Sequence, residues 1–493
     1  MKHIATVVGL GVSGAGAARL LRRKGWEVRV TEGIDTPEVR RRIQELEGIG
    51  HIKFEAGRHT RDFIEGSSLV ITSPGVKDNA MPLIWARKLG IPVIDEIELG
   101  YRFCPCRIVA VTGTNGKSTT TTLIGEIFKA AKKDVIVCGN IGVSFCQEVL
   151  RAKRNSVIVL EISSFQLQRT VKFRPYVSLF LNISQNHLDR HKDFKEYLSA
   201  KLNIFKNQKK SDWAILNHDD KNLKYLDRHI KSRILYFGGS TALAMALAKG
   251  GQTIAPWLIG GQTLPCRQAG MALWPTDADG ACLKEGFIYL VRRGKPHKFI
   301  SVDEIALKGG HNARNAMAAI LTAEIFKVPP HVTAAVLRKF KGLEHRWEHV
   351  ADIDGVKFIN DSKATTVDAA MWAIRSFKEP VILIAGGRDK GSDFTVLKSL
   401  IEERVKHLIL IGEAKAKIRT QLLGSAPIHE VDSLDRAVSL GLHLARKGEA
   451  VLLSPMCASF DMFKNFEDRG ECFKKAVRSL KKERSGAELC KVQ

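Results

Sequence analysis

Short apolar runs alternate with amphipathic helical stretches through the first hundred residues of the chain. Buried parallel strands are typically continuous apolar runs, and the crossovers that join parallel neighbours are usually helices. The pattern therefore predicts an α/β domain with a mostly parallel sheet, including a helix that begins after Ser13. The predicted strands are residues 4–8, 28–31, 69–72 and 92–94.

Two further α/β units follow with the same alternation. The second begins near Arg107, and its strands are predicted to include residues 135–138, 157–162 and 177–182. Helical periodicity is lost over about 238–298, which we interpret as a peripheral β-rich excursion, and it returns at 310–326 and after Val332. The third unit has predicted strands at 356–360, 381–385, 408–411 and 451–453, and its polar tail after Lys481 is expected to fray.

The length of 493 residues fits about three domains of ordinary size. We place the boundaries at 1–103, 104–342 and 343–493. The expected architecture is a Rossmann-like N-terminal domain, a central P-loop mononucleotide-binding domain and a Rossmann-like α/β C-terminal domain.

Composition narrows the class of protein further. No run of 18 apolar residues and no signal-peptide pattern occurs, so we expect a cytoplasmic protein without membrane insertion. Nine cysteines lack zinc-ligand spacing, and only Cys104 and Cys106 lie close together, which favours reduced thiols. The formal charge of +25 is spread in short clusters without a nucleic-acid-binding signature. We therefore expect anionic small molecules as partners and no nucleic acid. We also expect a monomer.

Residues 109–121 hold the strongest chemical motif, an apolar strand that runs into a glycine loop and then a helix. Such a loop directs backbone N–H groups and the positive end of the helix dipole at a phosphate. Lys117 can add charge and Ser118 can ligate Mg²⁺. The spacing departs from the usual P-loop, because valine stands at position 111 and the first glycine is Gly113.

A second glycine loop follows the first strand. Gly9, Gly11 and Gly14 precede a helix, and Glu32 ends the second strand, as in dinucleotide-binding domains. The loop alone does not distinguish a nicotinamide, a flavin or a nucleotide sugar. Ser73 and Gly75 form a further turn at a strand end, where open parallel sheets bind ligands.

Polar residues recur where the strands of the central unit end. Asn140, Glu161 and His187 should gather at the carboxyl edge of the sheet beside the P-loop. His187 and His191 are four residues apart, which could suggest zinc, but a triphosphate site favours Mg²⁺ with oxygen ligands. We interpret Glu161 and His187 as Mg²⁺ ligands and His191 as structural.

The order and the residues of these motifs resemble those of the Mur ligases over nearly the whole chain. The resemblance depends on the P-loop and on a set of downstream segments. These are residues 160–166, 186–190, 200–205, 311–312, 345–346, 361–365 and 454–466. The last two, together with the absence of an Asp-Asn-Pro-Arg motif, favour the D-glutamate-adding branch over the diaminopimelate- or lysine-adding branch.

The resemblance implies a three-domain ligase that uses ATP to phosphorylate the carboxylate of UDP-N-acetylmuramoyl-L-alanine. The amine of D-glutamate then attacks the acyl phosphate, in peptidoglycan precursor synthesis. Phosphorylation gives a poor acyl donor a good leaving group, while the protein supplies position and charge.

The resemblance also assigns roles to residues. Two Mg²⁺ ions are implied, with Ser118, Glu161, His187 and a carbamylated Lys201 as ligands; the residues alone would make Lys201 a solvated helix residue. Lys117, His187, Lys201 and Lys363 are the implied catalytic residues. The ATP contacts are Gly113, Thr114, Asn115, Gly116, Lys117, Ser118, Thr119, Asn312, Arg346 and Asp361. The UDP-substrate contacts are Ser13, Glu32, Ser73, Gly75, Asn140 and Ser163. The D-glutamate contacts are Thr365, Lys390, Ser459 and Phe466.

Two positions depart from the family pattern, since Asn186 stands in place of an aspartate and Thr366 in place of an asparagine.

Three other functions remain open at this point. A folylpolyglutamate-type ligase should lack the N-terminal glycine loop, a nicotinamide-dependent dehydrogenase leaves the P-loop unused, and a nucleic-acid-stimulated NTPase should bind DNA in a salt-dependent manner.

Overall fold

The computed structural model describes residues 3–184, 191–223, 226, 230–239, 279–377, 379–389 and 391–489, without the side chains of 368 and 485–489. The chain divides into two compact units, Met1–Phe340 and Lys341–Gln493. Within the described ranges the strands form three sheets, two in the first unit and one in the second. The α/β fold class predicted from the sequence is confirmed.

The N-terminal sheet is parallel, with the strand order β3-β2-β1-β4-β5. Its central strand β1 is apolar and buried, and α1 packs its alanine and leucine face onto the sheet, as the sequence pattern predicts. The elements are β1 (Ile4–Val8), α1 (Val12–Arg23), β2 (Glu27–Glu32), α2 (Pro37–Glu47), β3 (Ile52–Ala56), β4 (Leu69–Thr72), α3 (Met81–Lys88), β5 (Val93–Asp95) and α4 (Glu96–Phe103).

The central sheet has the order β14-β13-β12-β11-β10-β9-β6-β8-β7. The strand that leads into the P-loop, β6, lies between β8 and β9, so the ends of three parallel strands meet beside the loop. The elements up to the excursion are β6 (Arg107–Thr112), α5 (Lys117–Ala130), β7 (Val135–Gly139), α6 (Phe145–Val149), β8 (Val157–Glu161), α7 (Ser164–Leu167), β9 (Val177–Phe180), α8 (Phe194–Leu202), β10 (Trp213–Asn217) and β11 (Arg233–Gly238).

The described part of the β-rich excursion is confirmed as strand, and it extends the far edge of the central sheet. The strand after the undescribed residues 240–278 pairs parallel with β11, and the next two strands pair antiparallel. The remaining elements of this unit are β12 (Gly280–Lys284), β13 (Phe287–Arg292), β14 (Lys295–Ser301), α9 (Gly310–Ile325) and α10 (Pro330–Lys339). Helices α5 and α9 pack together on one face through a shared apolar core.

The C-terminal sheet has the order β15-β16-β20-β17-β18-β19, with only the β15–β16 pair antiparallel among its described pairings. Its elements are β15 (Glu348–Ile353), β16 (Val356–Asn360), α11 (Val367–Arg375), β17 (Val381–Gly386), α12 (Lys398–Arg404), β18 (Val405–Ile411), α13 (Lys415–Leu422), β19 (Ile428–Glu430), α14 (Leu434–Leu444), β20 (Ala450–Met456) and α15 (Phe466–Leu489). The expectation that the chain frays after Lys481 is wrong as far as Leu489, because α15 continues to that residue.

Of the helices that the structure describes, none combines the length with the apolar composition that crossing a bilayer requires.

Candidate active site

The glycine loop after β6 forms a cradle at the start of α5. Gly116 precedes the helix with φ +83°, a left-handed conformation that favours glycine, and it has no side chain to occupy the first N–H groups. Lys117 lies over the loop, where its Nζ donates to the carbonyl oxygens of Gly113 (2.9 Å) and Thr114 (2.8 Å). Ser118 and Thr119 are buried in the first turn. This geometry fits an anionic phosphate group at the helix N-terminus.

Two asparagines that the sequence reasoning did not assign to the site support the loop. The side chain of Asn182 pairs with the backbone of Asn115, accepting from its N–H at 2.8 Å and donating to its carbonyl at 3.0 Å. Asn315 of α9 packs against Gly116 so closely that a Cβ there would lie 2.5 Å from its Oδ1. Asn315 also donates to Asn312, the predicted ATP contact, at 3.1 Å. Asn182 could have been identified from its position just after the end of β9, and Asn315 from its place in the same helix as Asn312.

The ends of β7 and β8 place Asn140 and Glu161 together, as predicted. Glu161 is 2% exposed, and its Oε1 accepts a hydrogen bond from Asn140 Nδ2 at 2.9 Å. Within the part of the chain that the structure describes, its Oε2 accepts none. A buried carboxylate oxygen is costly without a partner, so this atom suits a bound cation.

Lys201 lies in the last turn of α8 and is 2% exposed, so its interpretation from the residues alone as solvated is wrong. Its Nζ donates to Gly113 O (3.1 Å) and Thr112 Oγ1 (3.3 Å), and it lies 4.8 Å from the centre of the Tyr197 ring. Burial, reinforced by the nearby charge of Lys117, lowers the pKa of Lys201 well below its usual value, while Glu161 opposes the shift. The fold thus brings this lysine against the base of the P-loop.

His191 is buried in a structural environment. Its Nε2 lies 3.0 Å from Ser164 Oγ, and its ring stacks on Phe165 with centroids 5.2 Å apart. The predicted metal ligand His187 and its neighbour Asn186 lie outside the described residues, as does Lys390 of the predicted D-glutamate set.

The N-terminal glycine loop is closed by the residues predicted to contact the UDP substrate. Ser73 Oγ donates to Gly9 O at 2.8 Å, and Glu32 Oε2 accepts from Leu10 N at 2.7 Å. Gly14 packs against the Gly9 carbonyl so tightly that a side chain would overlap it. These contacts shape a loop at the N-terminus of α1, and they engage Glu32 and Ser73 in holding the loop itself.

The other predicted UDP-substrate residues lie on turns and first turns. Ser13 is half-buried in the first turn of α1, and Gly75 is exposed after β4. Ser163 caps α7, where its side chain and that of Gln166 form a reciprocal capping box. Capping is therefore a structural role that Ser163 has in this structure.

In the C-terminal unit, Asp361 follows β16 and is buried. It accepts from Ser454 Oγ (3.1 Å) and Trp347 N (3.2 Å). Burial raises its pKa to about 7, although the guanidinium of Arg346 and the two hydrogen bonds oppose that shift. Asp361 and Arg346, both predicted ATP contacts, thus lie within electrostatic reach of each other.

The remaining predicted residues of this unit occupy neighbouring loops. Lys363 Nζ lies 5.0 Å from the centre of the Phe466 ring, so the structure brings these two predicted residues together. Ser459 is buried after β20, and its carbonyl accepts from two residues of the following turn. Thr365 is half-buried before α11, and Thr366 caps that helix through a bond to Ala369 N.

Arg469 on α15 was missed by the sequence reasoning, although it is fully buried and links the two loops of this region. Its guanidinium donates to Ser362 Oγ (3.0 Å) and Ser362 O (2.8 Å), and also to Cys457 O (3.2 Å). Burial lowers its pKa to about 10. The buried network ties the loop after β16 to the loop after β20. A lone arginine in a polar segment gives no sequence signal for this role.

Comparison with protein families matches all three parts of the chain. The Mur ligase MurD-like N-terminal domain matches residues 3–95, the Mur ligase middle domain matches 111–253, and the Mur ligase glutamate ligase domain matches 345–457.

Curated relatives match over nearly the full length. A UDP-N-acetylmuramoylalanine–D-glutamate ligase from Caldanaerobacter subterraneus subsp. tengcongensis is 40% identical, covering 97% of this chain and 98% of its own. The ligase of the same name from Pelotomaculum thermopropionicum is also 40% identical, covering 97% of each chain.

Solved structures at lower identity share the fold. The UDP-N-acetylmuramate–alanine ligase MurC from Thermotoga maritima is 18% identical with a TM-score of 0.57, covering 98% of this chain and all of its own. The MurF ligase from the same organism, solved in complex with ADP, is 15% identical with a TM-score of 0.55, covering 92% of this chain and 95% of its own. These structures share the fold, and the family models together with the curated relatives show that the chain belongs to the Mur ligase family and groups there with the UDP-N-acetylmuramoylalanine–D-glutamate ligases.

Proposed function

We propose that this chain joins D-glutamate to UDP-N-acetylmuramoyl-L-alanine in an ATP-dependent reaction of peptidoglycan precursor synthesis. The observation that carries the proposal is the 40% identity, over 97% of the chain, to curated ligases of that name. The phosphate cradle at Gly113–Ser118, the buried Glu161 and the buried Lys201 supply chemistry of the required kind.

The reaction divides into two transfers. A carboxylate oxygen of the UDP substrate attacks the terminal phosphorus of ATP, and ADP leaves. The amine of D-glutamate then attacks the carbonyl carbon of the acyl phosphate, phosphate leaves, and the nitrogen loses a proton to give the amide. Backbone N–H groups of the loop and the Lys117 ammonium hold the nucleotide phosphates where negative charge accumulates.

The residues present fit a divalent cation, because Glu161 offers a buried carboxylate oxygen beside a phosphate cradle with Ser118 in its first turn. Ser118, Glu161, His187 and a modified Lys201 would hold two Mg²⁺ ions. The ions would neutralise phosphate charge when bound.

The same environment favours carbamylation of Lys201, which we include in the proposal. A neutral amine attacks carbon dioxide and loses a proton, which yields a carbamate, and a buried amine with a lowered pKa favours the neutral form that this step needs. The product is an anionic oxygen donor in place of a cation. The carbamate would also remove the repulsion between the positive charges of Lys117 and Lys201 at the P-loop.

The remaining contacts are proposed by position. Ser13, Glu32, Ser73, Gly75, Asn140 and Ser163 serve the UDP substrate. Asn312, Arg346 and Asp361 serve the adenine, phosphate and ribose of ATP respectively, and Lys363 serves its terminal phosphate. Thr365, Lys390, Ser459 and Phe466 serve D-glutamate. We further propose domain boundaries at 103/104 and 342/343 and a cytoplasmic location. We also propose that the protein is a monomer, so sedimentation should give the mass of one chain.

Phosphate release with UDP-N-acetylmuramoyl-L-alanine and a panel of amino acids tests the proposal. We expect strong turnover with D-glutamate alone among D- and L-glutamate, lysine and diaminopimelate. Hydroxylamine added without D-glutamate should trap the acyl phosphate as a hydroxamate. Lys117→Met should abolish both signals, whereas Lys129→Met at the exposed end of the same helix should leave them intact. Preference for L-glutamate or diaminopimelate would contradict the assignment.

A further inference from the structure

The segment between α4 and β6 brings two thiols into contact. Cys104 follows the last residue of α4, and Cys106 precedes the first residue of β6, with Pro105 between them. Their sulfur atoms are 3.7 Å apart, and both side chains are half-buried. Of the other cysteines that the structure describes, all but Cys472 are buried.

Local backbone geometry explains the contact. Cys104 has an extended conformation (φ −75°, ψ 120°), and the chain bends at Cys106 just before β6, which leaves the two sulfur atoms 3.7 Å apart. Proline at 105 fixes its own φ near −65° and cannot continue the preceding helix. The two thiols are therefore held on one side of a short link in the folded state, where few side-chain rotations are needed to join them.

We propose that Cys104 and Cys106 form a redox-active dithiol, which closes to an intramolecular disulfide by exchange with a small-molecule disulfide such as oxidised glutathione. This is a modification site separate from the ligase chemistry. Shortening the sulfur contact from 3.7 Å to a bond of about 2.0 Å requires only a small local displacement.

The exchange occurs in two balanced steps. The Cys104 thiolate attacks one sulfur of oxidised glutathione, which forms a mixed disulfide and releases one glutathione thiolate. The Cys106 thiolate then attacks the Cys104 sulfur, which forms the Cys104–Cys106 bond and releases the second glutathione. Two protein thiols are oxidised, one glutathione disulfide is reduced to two thiols, and the two protons end on the released glutathiones.

The environment of the pair supports this order of attack. The hydrogen bond from Cys106 lowers the pKa of Cys104 despite partial burial. The same hydrogen bond, together with burial, raises the pKa of Cys106. Ionisation is thus favoured at Cys104 relative to Cys106, and we assign Cys104 as the nucleophile in the first step.

The sequence around the pair makes the test direct, because trypsin cleaves after Arg102 and Arg107. The resulting pentapeptide, residues 103–107, contains both cysteines and no other. The reduced full-length protein is incubated with oxidised glutathione, quenched in acid, alkylated without reduction, digested and analysed by mass spectrometry. We expect the pentapeptide to lose two hydrogen masses and to take up no alkylating agent.

Single variants and an unfolded control make the outcomes distinct. Cys104→Ser and Cys106→Ser should never show the loss of two hydrogens, and Cys106→Ser should acquire glutathione faster than Cys104→Ser. Denaturant should slow closure of the wild-type pair, because the folded geometry holds the sulfurs together. A pentapeptide alkylated on both sulfurs, a stable glutathione adduct on the wild type, or equal closure rates in folded and denatured protein would overturn the proposal.

Discussion

The amine of Lys201 lies where a charged ammonium is disfavoured, since it is buried against the P-loop and close to the charge of Lys117. A lysine kept there without a function would cost stability, because burial and the charge of Lys117 disfavour its ammonium more than Glu161, two neutral acceptors and a tyrosine ring stabilise it. Conversion to a carbamate would give it the opposite charge, which suits a site for cations and phosphates.

Replacing Lys201 with alanine should therefore reduce turnover by on the order of 100-fold, because the proposed metal-binding group is removed. Short carboxylates such as acetate or formate should restore part of the activity by entering the space that the side chain leaves. Turnover with and without added carboxylate measures the effect. Lys195→Ala, at an exposed position on the same helix, is the matched control and should change neither value. Absence of rescue in a variant that melts like the wild type would contradict the carbamate.

Glu96, at the start of α4, is a second buried ionisable group whose pKa is shifted from its usual value. Its Oε1 accepts from Cys146 N at 2.5 Å, while Oε2 has no hydrogen-bond partner among the described residues. Burial raises the pKa of Glu96 to about 7, against the hydrogen bonds from Cys146 that would lower it. The folded state therefore binds this proton more tightly than the unfolded chain, so stability decreases as pH rises from about 4.5 to about 7.

Glu96→Gln should be more stable than the wild type above pH 7, by up to about 3 kcal/mol, because the amide is never ionised. The difference should vanish only as the pH falls well below about 4.5, where the wild-type carboxyl is protonated in both states. Urea unfolding at several pH values measures it. Glu47→Gln at an exposed position controls for a general charge effect. A gain in stability that increases toward acid pH would show that the sign is wrong.

At the scale of elements, the start of α5 depends on a close approach between two helices. Gly116 has φ +83° and meets Asn315 of α9. Gly25 after α1 has φ +82°, and a Cβ added there would meet no heavy atom within 4 Å among its described neighbours. The two glycines share a backbone conformation but differ in their surroundings. Comparing an alanine substitution at each position therefore separates the cost of backbone strain from the cost of steric overlap.

Gly25→Ala should cost about 1 kcal/mol of unfolding free energy, from the left-handed backbone alone. Gly116→Ala should cost more, and it should weaken ATP binding, since Asn315 or the loop must move to admit the methyl group. Urea unfolding and calorimetric titration with ATP measure the two effects. Equal losses in both variants, with unchanged ATP affinity, would mean that the Asn315 contact does not shape the cradle.

The C-terminal unit has its own internal tie, since Arg469 of α15 donates to the loops after β16 and β20. Removing a buried charged donor leaves several carbonyl oxygens without their partner. Arg469→Met should thus lower the unfolding free energy by about 3 kcal/mol, as judged from hydrogen bonds to a charged group.

Urea unfolding of the full chain tests this expectation. Arg436→Met, whose side chain is 74% exposed on α14, is the matched control and should be within about 0.5 kcal/mol of the wild type. A near-neutral Arg469→Met would mean that the two loops hold their positions without the guanidinium.

For the whole molecule, the charge of +25 is the property with a measurable consequence. ATP and the UDP substrate are both polyanions, and a cationic protein raises their local concentration in a salt-dependent manner. We expect the KM values for both to rise several-fold between low and moderate ionic strength, while kcat changes less. The KM for D-glutamate, which has one net charge, should rise less. Sucrose in place of salt is the control, and KM values independent of salt would contradict this.

The fold class and most elements could be predicted because they depend on local patterns. Continuous apolar runs became the central strands, and the glycine loops formed before α1 and α5 as the spacing of Gly11 and Gly116 predicted. Asn140 and Glu161 met because parallel strands end at the same edge. Short or polar edge strands, such as β3 and β19, were missed because their alternation is too brief to distinguish from loops.

The amino-acid sequence by itself determined the order of the elements, the phosphate loop and the family, because each depends on motifs and patterns of residues that are contiguous in the chain. Tertiary structure decided the environment of single side chains. Lys201 is buried, Arg469 joins two loops, and Asn315 supports Gly116 only because elements distant along the chain pack together. Burial and charge depend on all neighbours in space, and no local pattern encodes them.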